Sequence, residues 1–98
     1  MPGADVVVIG AGLAGLAAGI ALAESGARVE LVARGHAAMH WSPGGIDVAA
    51  LAGMDSTAAG VERLAGLPGH PYAILRDDVR AAVAFLRDVA AAEGLTFR

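Results

Sequence analysis

The sequence predicts an α/β fold, a βαβ unit with parallel strands that makes up part of a larger domain. Three features point to it. A β-branched run, Val6-Val7-Val8-Ile9, ends at Gly10. Gly12, Gly15 and Gly19 then recur in a stretch otherwise suited to a helix. A second apolar run, Arg28 to Ala33, follows Gly26. A short apolar strand buried on both faces belongs in a parallel sheet, and parallel strands need a crossover element between them.

Each element has its local reason. Ala4 to Ile9 reads as the first strand. Leu13 to Ser25 reads as a helix, with Leu13, Leu16, Ala17 and Ile20 at helical spacing and Gly26 placed to stop it. Arg28 to Ala33 is the second strand, which closes a βαβ unit of roughly 30 residues. In that setting Gly10-Ala11-Gly12-Leu13-Ala14-Gly15 has the form of a Rossmann-like, FAD/NAD(P)-binding turn. Gly10 permits the tight exit from the strand, and Gly12 lets a pyrophosphate approach the backbone. Gly15 lets the helix lie close to the strands. The helix end beginning near Gly12 offers unpaired N–H groups and a positive dipole to an anion without any basic side chain.

The strand that follows lacks an expected group. An adenosine site places an acid about 20 residues past the glycines, at the end of the second strand, to hold ribose hydroxyls. Here Ala33 stands there, followed by Arg34 and Gly35, and Glu30 lies too early in the strand. Arg34 offers a guanidinium to a phosphate, or is a solvated loop arginine. Gly35 to Gly45 has no periodicity and reads as an ordered loop over the carboxyl ends of the strands, where open α/β sheets bind ligands. His36 and His40 stand four apart, a spacing that suits a metal on a helix, but no third ligand lies near, so no metal site is expected. Ser42, His40 and Asp47 are too close along one loop to be given triad roles.

The remaining chain reads as packing material. Ile46 to Leu51 is a short apolar segment. Ser56 caps a short helix to Ala65, with Val61, Leu64 and Ala65 inward. Gly66 to Pro71 is a turn-rich connection. Asp77 to Glu93 is the longest helix, ended by Gly94. Its first-turn acids suit the dipole, and Val79, Ala82, Val83, Leu86, Val89 and Ala90 form one apolar stripe. Leu95 to Arg98 has the look of another strand beginning.

Composition narrows the function. Apolar residues make up 56% of the 98 and charged residues 17%, with a mean hydropathy of +0.60, which argues against disorder. A net charge of -3, with all seven basic residues scattered arginines, carries no footprint for nucleic acid. The absence of cysteine excludes disulfides and cysteine-ligated clusters within this segment. The uncharged run from Val6 to Ala23 approaches membrane-spanning length, but Asp5 precedes it without any Lys or Arg and glycines interrupt it at strand-to-helix spacing. A flavin or nicotinamide fold needs more strands than 98 residues supply, so an incomplete domain is expected.

The run Leu31-Val32-Ala33-Arg34-Gly35-His36-Ala37-Ala38-Met39-His40-Trp41-Ser42-Pro43-Gly44-Gly45-Ile46-Asp47-Val48, with Gly69-His70-Pro71-Tyr72 after it, resembles the amino-terminal part of the B subunits of anaerobic glycerol-3-phosphate dehydrogenase. In that family the second strand ends without an acid, and an Ala-Leu-His-aromatic-Ser loop leads to a glycine and a Leu-Asp-Leu-like segment. Met39 replaces the leucine, Pro43 departs from a more usual serine, and Ile46-Asp47-Val48 keeps the last segment conservatively. The resemblance covers essentially the whole chain and implies an electron-transferring flavoprotein subunit that uses FMN, with FAD possible. It implies a three-subunit complex oxidising sn-glycerol 3-phosphate to dihydroxyacetone phosphate and passing electrons to quinone in anaerobic respiration. The partners implied are a catalytic A subunit and an iron–sulfur C subunit. The place implied is the cytoplasm, held at the inner membrane through those partners.

On this reading Gly10, Ala11, Gly12, Leu13, Ala14 and Gly15 hold the flavin phosphate, and Arg34, Gly35, His40 and Ser42 are further contacts. Two other readings fit the residues alone. One is an NAD(P)-dependent or other FAD-dependent oxidoreductase, in which, for NADP, Arg34 takes the 2′-phosphate. The other is a cofactor-free interaction module.

Overall fold

The computed structural model describes residues 3–49 and 52–97, which form two compact units, 1–45 and 46–98. In the first unit β1 (Val6–Ile9) and β2 (Val29–Val32) pair in parallel, with Val6 opposite Val29 and Ile9 opposite Val32. Between them runs α1 (Leu13–Glu24), which packs on both strands. This is the βαβ unit expected from the glycine spacing, with each strand shorter by one or two residues at its ends.

The helix stops where the sequence places its stop. Gly26 takes φ 93°, and the Ala27 N–H reaches back to the Leu22 carbonyl at 3.1 Å while the Gly26 N–H reaches Ala23 at 3.0 Å. These bonds satisfy carbonyls that the end of a helix leaves open. The strands start from a clamp. The Arg28 guanidinium donates from Nη2 to Asp5 Oδ1 at 2.6 Å and from Nε to Oδ2 at 3.0 Å. The Arg28 backbone N–H adds a bond to Oδ2 at 2.9 Å, and the Asp5 N–H donates to the Arg28 carbonyl at 2.8 Å. Both side chains are about half exposed, yet the Arg28 guanidinium holds the Asp5 carboxyl below the usual carboxylate range.

Two differences from expectation lie in this unit. The stretch read as an irregular loop contains a short 3₁₀ helix, η1 (Ala37–Trp41), closed by Ser42 in extended conformation ahead of Pro43. The residue before a proline is pushed out of the helical region, which ends η1 there. The first unit also lacks a buried side chain among its described residues, and Ile9 is 87% exposed at the end of β1.

The second unit is helical. In it α2 (Thr57–Ala65) packs on α3 (Pro71–Leu75), and α3 on α4 (Asp78–Ala92). Ser56 caps α2 as expected, its hydroxyl accepting the Ala59 N–H at 3.1 Å. Its core is narrow: Ala65 is 4% and Val79 8% exposed. The expected stripe on α4 holds for Val79, Val83, Leu86, Val89 and Ala90, but Ala82 is exposed and Phe85 turns partly inward. Helix α3 was absent from the sequence reading. His70 starts it, with Nδ1 accepting the Tyr72 N–H at 3.1 Å and Pro71 supplying the preset first-turn backbone. The expected strand at Leu95 to Arg98 is not formed over residues 95–97, because the Leu95 N–H turns back to the Ala90 carbonyl at 2.9 Å and closes α4. Arg98 lies outside the described residues, as do residues 50 and 51 of the apolar segment Ile46 to Leu51.

Candidate functional site

The site begins where β1 ends. Gly10 leaves the strand with φ 111°, a conformation that a side chain would strain, and its N–H donates to the Val32 carbonyl at 2.8 Å. The turn is thereby fixed beside the carboxyl end of β2. Gly12 is the N-cap of α1 and brings no side-chain cap, and no acid occupies the first turn. The first bond of the helix is Leu16 N–H to the Gly12 carbonyl at 3.0 Å. Among the described residues, the N–H groups of Leu13, Ala14 and Gly15 therefore have no carbonyl partner. They converge on the positive end of the α1 dipole, an arrangement suited to a phosphate.

Gly15 is held by sterics. A Cβ there would overlap the Gly10 carbonyl oxygen, with the Gly10 carbonyl carbon at 3.0 Å and Val8 Cγ1 at 3.5 Å. The glycine thus lets the first turn of α1 close onto the strand exit itself. Gly19, one turn further, meets only ordinary contacts, with Leu31 Cδ1 at 3.8 Å. The glycine cradle is thus matched to an anionic phosphate group, as a flavin nucleotide requires: open donors, no competing acid, and a backbone that a side chain would fill.

The segment after β2 crosses the same edge. Arg34 and Gly35 lie in the exposed connection between β2 and η1. Ala37 opens η1 in the left-handed region, φ 52°, with its Cβ 3.3 Å from where a Cβ on Gly12 would stand. That conformation costs a non-glycine residue on the order of 1 kcal/mol or more, and here it seats the loop against the turn. His40 stacks on His36 at 6.2 Å between ring centroids and meets Trp41 edge-on at 5.0 Å. Ser42 Oγ accepts the Gly44 N–H at 3.2 Å, so the hydroxyl shapes its own loop. Among the described residues, no group of three or more His, Cys, Asp or Glu side chains is placed to hold a metal ion.

The structure brings Gly10, Ala11, Gly12, Leu13, Ala14 and Gly15 into one turn and sets the start of η1 on it. His40 and Ser42 follow along η1 and at its cap, while Arg34 and Gly35 stay in the connection. Sequence reasoning passed over Trp41, which is 84% exposed on this segment. It is the chain's single tryptophan, and its place between two candidate residues was the available signal.

The His70-Pro71-Tyr72 run lies in the other unit and acts there as a helix start. No helix among the described residues is long and apolar enough to cross a membrane.

Comparison with known proteins bears on the family of the chain. The chain is 50% identical over 76 residues to the B subunit of anaerobic glycerol-3-phosphate dehydrogenase from Actinobacillus succinogenes, an alignment covering 72% of this chain and 18% of that protein. The corresponding B subunit of Mannheimia succiniciproducens is 42% identical over 80 residues, 76% of this chain and 19% of its own length. That of Pectobacterium carotovorum is 41% identical over 92 residues, 89% of this chain and 21% of its own. The chain thus spans about a fifth of the length of the curated relatives it matches, and the resemblance read from the loop after β2 is borne out by them. No solved structure matches the chain. The model of the FAD binding domain family matches residues 5–97, and the chain belongs to that family.

Proposed function

We propose that this chain is the phosphate-binding segment of a flavin-dependent oxidoreductase subunit, of the kind named as the B subunit of anaerobic glycerol-3-phosphate dehydrogenase. The observation that carries the reading is the Gly10 to Gly15 turn, with three N–H groups at the start of α1 that have no carbonyl partner among the described residues and Gly15 closed onto the Gly10 carbonyl. Gly10, Ala11, Gly12, Leu13, Ala14 and Gly15 hold the flavin phosphate through backbone donors, and Arg34, Gly35, His40 and Ser42 supply further contacts along the segment after β2. The cofactor is FMN or, alternatively, FAD: the end of β2 carries Ala33 at the place where an acid commonly holds an adenosine ribose, which agrees with FMN, and FAD sites can hold that ribose by other groups.

When bound, the flavin accepts and releases electrons. The chain's own part is to fix the phosphate end without a basic side chain. In the assembled enzyme, sn-glycerol 3-phosphate loses two electrons and two protons to become dihydroxyacetone phosphate, and the electrons pass on to quinone. A catalytic A subunit oxidises the substrate, and an iron–sulfur C subunit carries electrons and the association with the inner membrane. The flavin-binding protein works on the cytoplasmic side, held there by its partners.

The test is reconstitution. The chain is incubated with FMN or with FAD, passed through gel filtration, and its visible spectrum recorded. Flavin absorption co-eluting with the protein is the expected result, and protein free of flavin in both cases overturns the proposal.

A further inference from the structure

We propose that the indole of Trp41 is the stacking wall for the flat heteroaromatic ring of the cofactor held at the Gly10 to Gly15 turn. The inference rests on the flavin reading above and adds to it a contact of a different chemical kind, to the ring and not to the phosphate.

Trp41 is the single tryptophan and is 84% exposed, although an indole buries more apolar area than almost any other side chain. It is also held in place. Its neighbour His40 meets it edge-on at 5.0 Å, and His40 in turn stacks at 6.2 Å on His36, the residue that precedes η1. The segment carrying them starts close to the phosphate turn, with the Ala37 Cβ 3.3 Å from where a Cβ on Gly12 would stand and Ala37 in a left-handed conformation. Trp41 lies four positions beyond Ala37 along the 3₁₀ helix, a rise of about 8 Å. An anion at the start of α1 and an aromatic face within one ligand length of it are the two ends that a flavin nucleotide presents. Stacking of a heteroaromatic ring on an aromatic side chain needs no hydrogen-bond complement from the chain.

The experiment uses the one tryptophan as its own reporter. Acrylamide quenching of Trp41 emission is measured on the chain alone and with saturating FMN, FAD or ADP. Binding is followed separately by flavin co-elution and by displacement of flavin with ADP. The expected result is an accessible Trp41 in the free chain and protection on binding. Protection by FMN and FAD assigns the isoalloxazine ring, and protection by FAD and ADP but not FMN assigns the adenine. Trp41→Ala is expected to weaken binding about 10-fold, the scale of one aromatic stack, while Trp41→Phe stays within about 3-fold. Circular dichroism of both variants checks that they fold.

Flavin that binds while Trp41 stays accessible and Trp41→Ala keeps its affinity overturns this inference and leaves the flavin reading standing. A Trp41 already shielded in the free chain overturns it too, since another protein surface then covers the indole. Failure of any flavin to bind overturns both.

Discussion

Gly15 and Gly19 look alike in the sequence, two glycines four apart in one helix, and the structure gives them opposite meanings. A methyl group at Gly15 would run into the Gly10 carbonyl, which is backbone and cannot swing aside, whereas at Gly19 it would meet the end of the Leu31 side chain at 3.8 Å. Gly15→Ala is therefore expected to destabilise the chain by about 1–3 kcal/mol and to abolish flavin retention. Gly19→Ala is expected to stabilise it by up to about 1 kcal/mol, because alanine is the better helix former. Thermal unfolding of the two variants, with reconstitution of each, checks the pair. A tolerated Gly15→Ala would remove the close approach from the account of the turn. At this scale the GxGxxG spacing was legible, because a tight turn leaves few residue types able to occupy it. The exposure of Trp41 was not, since nothing in its neighbours along the chain says which surface they leave open.

Between elements, the clamp from Asp5 to Arg28 joins the starts of β1 and β2 across 23 positions of sequence. Its carboxylate has a lowered pKa because Arg28 binds the charged form. In the unfolded chain Asp5 returns to its ordinary value of about 3.9. A group depressed in this way contributes stability above the unfolded value and loses it as pH falls through the folded one. The unfolding midpoint of the parent chain should thus drop below about pH 4 by an increment that Asp5→Asn lacks, while the variant melts lower at neutral pH. Parallel melting curves for the two between pH 7 and pH 2 would show the clamp to be idle.

The capping signals at Ser56 and Gly26 were readable because caps depend on local chemistry. The η1 and α3 segments escaped the sequence reading because each is only five residues long, too short for a hydrophobic period to show. The His70-Pro71-Tyr72 run illustrates the difference: it carries family resemblance, and in the structure it is a nitrogen cap followed by a proline at the helix start.

For the molecule as a whole, the apolar surface is incompletely covered within each unit. Ile9, Val7, Leu13, Leu31 and Val32 are all exposed in the first unit, and Ile74, Leu67 and Leu95 in the second. Patches of this kind bind apolar dyes and leave little buried area to make unfolding cooperative. The chain by itself is expected to enhance anilinonaphthalene sulfonate fluorescence and to melt over a broad range, with flavin raising the midpoint. A sharp calorimetric transition with no dye binding would contradict this.

The sequence by itself determined the βαβ unit, the glycine turn between its first strand and its helix, and the family, since strand runs, glycine spacing and caps are decided by a residue and its near neighbours. Only the tertiary structure decided that Gly15 closes on the Gly10 carbonyl, that Ala37 seats the start of η1 against Gly12 and that Trp41 stands open at the other end of η1. Those contacts join segments up to 25 positions apart, and their distances depend on how the chain returns to the sheet edge.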